Sequence, residues 1–175
     1  LEYLNIIKGN SESLIILVMQ LSELAKFDSN PQNLDKENFA LAPLIIDVMS
    51  RYVPIAEQKG VQIESELPEV LCMVNADLIM IERVLSNLLD NALTFTATGG
   101  RIKISVKELP DTITVSISDS GEGIAEEHLP HICERFYRVD SDRSRFSGGS
   151  GLGLAIVKEI IEGHRGKLDI FSKLE

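Results

Sequence analysis

The chain has 175 residues, of which 44% are hydrophobic, and it carries a formal net charge of −10. This length allows one compact domain plus an appendage, and the acidic balance argues against binding to nucleic acid or to anionic membranes. Its two cysteines, Cys72 and Cys133, are too few for a disulfide framework and indicate a reducing compartment, and no stretch is long and apolar enough to span a bilayer.

The first predicted element is an amphipathic helix over residues 2–26. Its apolar side follows an alternating three-four spacing and forms a coiled-coil-like seam, which consists of Leu4, Ile7, Ser11, Leu14, Val18, Leu21 and Ala25. We expect this seam to pack against a second copy or another segment; the alternative is a surface helix that lies on its own core. Residues 28–33 carry turn chemistry and predict a hinge at a domain boundary.

Helical and strand patterns then alternate along the chain. They predict a helix over Leu41–Lys59 that ends at Gly60, a strand over Val61–Leu67, a helix over Asn75–Leu93, a hairpin of Ile102–Val106 and Ile113–Ile117 around Pro110-Asp111, a helix over Gly151–Glu162 and a last strand over Lys167–Phe171. Residues 125–150 show little periodicity and predict a long connection, which in a compact domain is usually functional or mobile.

Two asparagines stand out on the second of these helices. Asn87 and Asn91 are four residues apart and share one helix face, where amides cost free energy unless a partner satisfies them. An amide oxygen suits Mg²⁺, whose remaining ligands are usually waters and substrate phosphate oxygens. The alternative is that both are capping or surface amides.

Two glycine-containing turns follow the helix. Asp119 ends a strand and can accept hydrogen bonds from an exocyclic amine, while Gly121 and Gly123 let the backbone approach a ring on which Ile124 would pack. Residues 148–154 place small side chains before a helix, where backbone N–H groups and the helix dipole form an anion site. The alternative for the first turn is an ordinary strand-to-loop turn. The arginines before residue 148 would serve the same anion, and the alternative for them is a solvated basic loop.

Four motifs in a fixed order carry a family resemblance. They are Asn87-Leu-Leu-Asp-Asn91, Asp119-Ser-Gly121-Glu-Gly123-Ile124, Glu134-Arg-Phe-Tyr-Arg138 and Gly148-Gly-Ser-Gly151-Leu-Gly153-Leu154. With them the chain resembles the catalytic ATP-binding domain of sensor histidine kinases, in which they are the N, G1, F and G2 boxes of the Bergerat (GHKL) fold. The resemblance implies an α/β two-layer sandwich, in which three helices cover a mixed sheet, with an N-terminal helical arm. Residues 1–30 would be the second helix of a dimerisation and phosphoacceptor hairpin, and residues 31–175 a C-terminally truncated ATP-binding domain.

The resemblance also implies roles for individual residues. Asn91 would bind Mg²⁺ with Asn87 as its supporting partner, and Asp119 would accept a hydrogen bond from the adenine amino group. Arg138 and Arg143 match positions that contact phosphates in some members, and Phe136 and Tyr137 would anchor the loop on the domain. The other residues predicted at the nucleotide are Thr94, Phe95, Gly121, Gly123, Ile124, Gly149, Ser150, Gly151, Leu152, Gly153 and Leu154.

The chain departs from the family pattern in two places. Thr94 stands where the family often has a lysine or arginine, so one positive charge near the triphosphate is missing. The sheet of the family normally gains another strand, with Gly-Thr, after the segment that corresponds to Ser172-Lys-Leu-Glu175, and the sequence given ends there, so we expect the domain to be truncated at its C-terminal side. None of His128, His131 and His164 has the surroundings of the phosphoacceptor histidine. His128 and His131 resemble a metal-binding cluster only superficially, because Pro130 lies between them and no second cluster exists.

The implied function is to bind Mg-ATP and to transfer its γ-phosphoryl group to a histidine on a hairpin helix outside this chain. The implied partners are that hairpin, a response regulator and, in the full-length protein, a second copy in a homodimer. The implied location is the cytoplasm, with a possible inner-membrane anchor on the full-length protein. One alternative is an ATPase of the same fold, which would need a glutamate base where this chain has Asn87. The other is a signalling module with compromised transfer, which Thr94 would support.

Overall fold

The computed structural model describes residues 34–139 and 150–174, together with positions 11, 14, 15, 18, 19 and 22. These six positions are helical and exposed, and the exposed fractions of Leu14 and Val18 are 63% and 60%. They agree with the helix predicted over residues 2–26. The rest of that helix and the predicted hinge at residues 28–33 lie outside the described residues, so the division into two parts stays a prediction.

Five strands and three helices form the described domain. In chain order they are β1 Glu37–Ala40, α1 Leu41–Lys59, β2 Gln62–Glu66, β3 Met73–Ala76, α2 Leu78–Phe95, β4 Arg101–Glu108, β5 Ile113–Asp119 and α3 Gly153–Gly163. The sheet order is β2-β4-β5, with β2 parallel to β4 and β4 antiparallel to β5, while β1 and β3 form a separate antiparallel pair. The prediction of an α/β fold with a mixed sheet is therefore confirmed.

The main core lies between the sheet and the helices α1 and α2. Alternation along β4 turns Ile102, Ile104 and Val106 inward, and they are buried together with Ile45 of α1 and Leu89 of α2. Full burial of one such side chain contributes about 1.5–3 kcal/mol, so this row fixes α2 on the sheet. The strand positions that alternate with it face solvent, as the sequence predicts for a sheet with one buried face.

A second apolar cluster fixes α3 against the far side of α2. It consists of the buried residues Val84, Leu152, Ile156, Val157 and Ile160. Val84 belongs to α2, whereas the other four lie at or within α3. Because this cluster begins at Leu152, next to the first residue of α3, it holds the N-terminus of α3 beside the middle of α2.

The helix boundaries follow their capping residues. Helix α1 ends where predicted, since Gly60 has a left-handed φ of 74° and its N–H donates to the last turn. Helix α2 begins at Leu78 and not at Asn75, because Asp77 is its N-cap and accepts a hydrogen bond from the Met80 amide at 3.1 Å. Asn75 instead pairs with Asn38 in the β1–β3 ladder.

Two strands of the structure were not predicted from the sequence, and one predicted strand is wrong. β1 and β3 have four residues each, which is too short for a visible period. The strand predicted over Lys167–Phe171 is wrong: in the described part of the chain this segment joins no ladder, and Phe171 is 89% exposed. The segment runs on to the turn after β5, where the Ile124 amide donates to Ser172 Oγ at 2.8 Å. Helix α3 begins at Gly153, two residues later than predicted.

Within these described segments, no helix combines the length and the apolar character that crossing a membrane requires.

Candidate nucleotide site

The two asparagines meet the start of α3. A Cβ atom placed on Gly153 would lie 3.3 Å from Asn87 Oδ1 and 4.0 Å from Asn91 Nδ2, and both amides are half-buried. Asn87 Nδ2 donates to the Arg83 carbonyl oxygen, one turn back in α2, at 3.0 Å. This hydrogen bond directs Asn87 Oδ1 away from its own helix and towards Gly153. Glycine at this position lets the start of α3 approach both amides closely.

The N-terminus of α3 suits an anion. Its first turn contains no acidic residue and no side-chain cap, so the positive end of the helix dipole is not neutralised locally. The turn before it is held by two hydrogen bonds: Leu152 N donates to Ser150 Oγ at 3.2 Å, and Phe136 N donates to the Gly151 carbonyl at 2.9 Å. The amide oxygen of Asn87 and the side-chain amide of Asn91 thus lie beside the first residue of α3, a combination that fits a metal-bound phosphate.

The opposite end of the site is the turn after β5. Asp119 pairs with the buried Ile102, so its side chain lies on the helix-facing side of the sheet. Asp119 Oδ1 accepts from the Gly121 amide at 2.9 Å, and among the described residues no donor reaches Oδ2. A Cβ on Gly121 would lie 2.8 Å from the Phe95 carbonyl oxygen, so this turn packs directly on the end of α2. Phe95 is 54% exposed, which leaves its ring accessible to a ligand.

Gly123 and Ile124 are shaped by the segment after α3. Gly123 has a φ of 76°, and a Cβ there would overlap the carbonyl of Lys173. Ile124 is half-buried, and its amide bonds to Ser172 as described above. The need for glycine at this position therefore comes from the neighbouring chain segment, and the sequence motif alone does not reveal that contact.

Thr94 points to solvent at the end of α2. Its hydroxyl donates back to the Asp90 carbonyl at 2.7 Å, and the residue is exposed. Lys59 Nζ donates to the carbonyl oxygens of Leu93 and Thr94, where a positive charge offsets the negative end of the helix dipole. This contact of Lys59 could not be predicted from the sequence, since no local pattern connects the end of α1 with the end of α2.

The side chains of Phe136 and Tyr137 differ in their burial and in their contacts. Tyr137 is half-buried, and its hydroxyl lies 2.8 Å from His128 Nδ1, whereas the Phe136 ring is 58% exposed. Because His128 belongs to the same segment, residues 125–150, the anchoring of that segment on the domain by Phe136 and Tyr137 stays a prediction. Arg138 is exposed, while Arg143 and Gly149 lie outside the described residues.

The side of α2 that faces α1 carries a separate set of charges. Glu82 Oε1 accepts from Arg51 at 2.6 Å, and the Tyr52 hydroxyl donates to the Ser86 carbonyl at 3.2 Å. Burial, with help from the nearby Asp90 carboxylate, raises the pKa of Tyr52 to about 12. Glu82 is therefore held by a cation on the side of α2 away from α3, which is a poor position for activating water at the asparagines.

The histidine and cysteine side chains form no metal centre in the described ranges, where no three His, Cys, Asp or Glu residues are grouped closely enough. His164 has a structural role: its Nε2 accepts from the Asp77 amide at 2.9 Å, and its Nδ1 lies 2.8 Å from the Ile160 carbonyl. The first contact joins the end of α3 to the start of α2, and the second holds the ring against its own helix. Cys72 and Cys133 are both free thiols.

Comparison with known proteins agrees with this geometry. Residues 76–175 match the family described as histidine kinase-, DNA gyrase B- and HSP90-like ATPase. The chain is 36% identical over 171 residues to the sensor histidine kinase CusS of Escherichia coli strain K12, covering 96% of this chain and 35% of CusS. It is 34% identical over 168 residues to the sensor histidine kinase WalK of Bacillus subtilis strain 168, covering 95% of this chain and 27% of WalK. The chain thus spans about a third or less of the length of these curated relatives.

Solved structures give the same assignment. The nucleotide-free catalytic domain of the histidine kinase ThkA matches with a TM-score of 0.66 at 30% identity, covering 74% of this chain and 81% of that one. ThkA in complex with the response regulator protein TrrA matches with a TM-score of 0.74 at 28% identity, covering 94% of this chain and 45% of that one. The chain therefore belongs to the histidine kinase-, DNA gyrase B- and HSP90-like ATPase family and carries the ATP-binding catalytic domain of a sensor histidine kinase.

Proposed function

We propose that residues 31–175 bind Mg-ATP between α2 and α3 and transfer the γ-phosphoryl group to a histidine outside this chain. In this proposal residues 1–30 form the second helix of the dimerisation and phosphoacceptor hairpin. The observation that carries it is the meeting of Asn87 and Asn91 with Gly153 at the uncapped start of α3. Asp119, with one carboxylate oxygen directed to no protein donor in the described region, lies at the adenine end.

Each end of the site would make its own contribution. Asn91 would hold Mg²⁺, supported by Asn87, and the metal would neutralise phosphate charge. The amides at the start of α3, including those of Gly153 and Leu154, would donate to phosphate oxygens, and Arg138 and Arg143 would add positive charge. Asp119 would accept from the adenine amine while the base stacks between Ile124 and Phe95. The chain's own groups then position the nucleotide and stabilise its charge, and none acts as a nucleophile.

The surroundings of α2 favour transfer to a protein over hydrolysis. An ATPase needs a base beside the attacking water, and the acidic residue that precedes the asparagines, Glu82, is paired with Arg51 at 2.6 Å on the opposite side of the helix. Asn87 itself cannot accept a proton. Among the described residues of α2, water activation on the asparagine side therefore has no candidate base.

The partners follow from the relatives. ThkA has been solved in complex with the response regulator TrrA, and by likeness we propose a response regulator as the acceptor that follows the histidine. The apolar positions Leu14 and Val18, both more than half exposed, would pack in the hairpin of a homodimer. The domain would work in the cytoplasm, where ATP and the response regulator are present, with the full-length protein anchored in the inner membrane.

Two measurements test the proposal. Calorimetry should show Mg-dependent binding of ATP and ADP to the chain. Incubation with γ-labelled ATP should leave the chain without acid-labile phosphohistidine, whereas a protein extended to include the complete hairpin should become labelled. Labelling of His128, His131 or His164 in the chain alone would contradict the assignment of the acceptor to the hairpin. Absence of nucleotide binding would refute the proposal as a whole.

A further inference from the structure

The turn that leads into α3 depends on a strained residue. Phe136 has a φ of 67°, a left-handed conformation that a bulky side chain rarely adopts and that is strained. Such a conformation persists only where the surroundings hold it. Three contacts surround Phe136: its own amide donates to Gly151, Arg135 pairs with Glu159 of α3 at 3.2 Å, and Tyr137 bonds to His128.

The strained turn shapes the phosphate end of the site directly. Gly151 has a φ of 70°, and a Cβ there would lie 2.9 Å from the Phe136 carbonyl carbon and 3.0 Å from the Tyr137 carbonyl oxygen. Gly151 is two residues before Gly153, which faces the asparagine amides. A displacement of Phe136 and Tyr137 would therefore move the first amides of α3 relative to Asn87 and Asn91.

His128 is the side chain that fixes Tyr137. The hydroxyl of Tyr137 lies 2.8 Å from His128 Nδ1, while the other ring nitrogen, Nε2, faces the Glu127 carboxylate at 3.7 Å. A carboxylate on that side favours the tautomer that is protonated at Nε2, so Nδ1 accepts the hydrogen bond from the Tyr137 hydroxyl. His131 also lies beside the Tyr137 ring, with 5.5 Å between ring centres, but its Nδ1 pairs with Glu134 at 2.8 Å.

We propose that His128 is a positioning residue for the phosphate-binding turn: it holds Tyr137, which holds the strained Phe136 against Gly151 and so sets the start of α3. This inference rests on the proposed function, because it concerns the phosphate end of the same site. It assigns no contact between His128 and the nucleotide. The base end, at Asp119 and Phe95, lies outside this series of contacts.

The test uses a matched pair of substitutions. His128→Phe and His131→Phe make the same chemical change and keep a ring beside Tyr137, but only the first removes the acceptor of the tyrosine hydroxyl. One neutral hydrogen bond corresponds to a change in affinity of about five-fold. We expect His128→Phe to weaken Mg-ADP by about that factor and to leave adenosine affinity unchanged, and His131→Phe to leave both affinities unchanged. Tyr137→Phe should match His128→Phe, and the double variant should show no further loss.

Several results would overturn the inference. A parallel loss of adenosine and Mg-ADP affinity in His128→Phe would indicate general destabilisation. Additive losses in the double variant would show that the two side chains act separately, and unchanged affinities in all variants would remove His128 from the site. Tyr137→Phe deletes only an oxygen, so it provides the answer if His128→Phe does not fold. If the unmodified chain bound neither ligand, the proposed function itself would fail.

Discussion

The selectivity of the site for adenine can be tested with one atom-scale change, Asp119→Asn. The Asp119 carboxylate has two oxygens, and Oδ1 already accepts from the Gly121 amide at 2.9 Å. Only Oδ2 is available for the adenine amine. Asparagine has a single acceptor oxygen, so it must leave either Gly121 or the adenine amine facing an NH₂ group. A hydrogen bond to a charged acceptor contributes about 1.5–3 kcal/mol, which corresponds to a loss of affinity of about 10- to 150-fold.

Calorimetry with Mg-ADP is the suitable assay, because ADP cannot be turned over. Asp111→Asn is the matched control: it makes the same change of charge at the exposed turn between β4 and β5. Removing any negative charge from this acidic chain weakens its general repulsion of nucleotides, and the control measures that effect. We expect Asp111→Asn to bind Mg-ADP at least as well as the unmodified chain.

The unmodified chain should also reject Mg-GDP, since guanine presents a carbonyl where adenine presents its amine. Equal affinities for ADP and GDP, or an Asp119→Asn variant that binds Mg-ADP like the control, would refute the assignment of Asp119 to the base.

Three further predictions concern other parts of the domain. Thr94→Lys should tighten the binding of Mg-ATP several-fold more than that of Mg-ADP at low salt, and the variant should fold normally because Thr94 is exposed. Titrations at two salt concentrations should show that the gain in affinity shrinks as salt is raised. Equal effects on both nucleotides would remove Thr94 from the phosphate site. Asn91→Asp should keep the thermal midpoint but change the Mg²⁺ dependence of ATP binding, and unaltered Mg-ATP titrations would contradict the ligand assignment. Tyr52 should titrate near pH 12 in an absorbance titration, because burial raises its pKa to about 12. The stability that it contributes is complete below its unfolded pKa of about 10 and is lost as the pH rises towards 12. Tyr52→Phe should therefore flatten the plot of unfolding free energy against pH between about pH 10 and 12.

Most of the fold could be predicted from the sequence because its elements carry their own signals. The alternation in β4 and β5, the glycine after α1 and the long apolar face of α2 each depend on residues close together in the chain, and each prediction agrees with the structure. The short pair β1–β3 and the segment from Lys167 to Phe171 have no comparable signal. Whether such a segment joins a sheet depends on which partner reaches it in the folded chain, and alternation alone does not determine that.

The site was predictable in its motifs but not in its supports. Residue order placed Asn87, Asn91 and the start of α3 in one family pattern, and the structure brings these residues together. Lys59, Ser172 and His128 act on the ends of the site through contacts that join separate segments, and lysine, serine and histidine at such positions are unremarkable in sequence. The roles assigned to the motif residues stay predictions until the variants above are measured.

The parallel pairing of β2 with β4 has a consequence for the order of folding. β3 and the whole of α2 lie in the chain between Gln62 and its pairing partner Arg101, whereas only a short turn separates β4 from β5. Pairing of distant segments is slow, because the entropy of loop closure is lost before the contacts form. We therefore expect the β4–β5 hairpin to form early and the parallel β2–β4 ladder to form late. The asparagine-bearing helix then becomes fixed near the end of folding. Bound nucleotide should therefore slow unfolding and leave the refolding rate nearly unchanged, because its contacts form after the transition state.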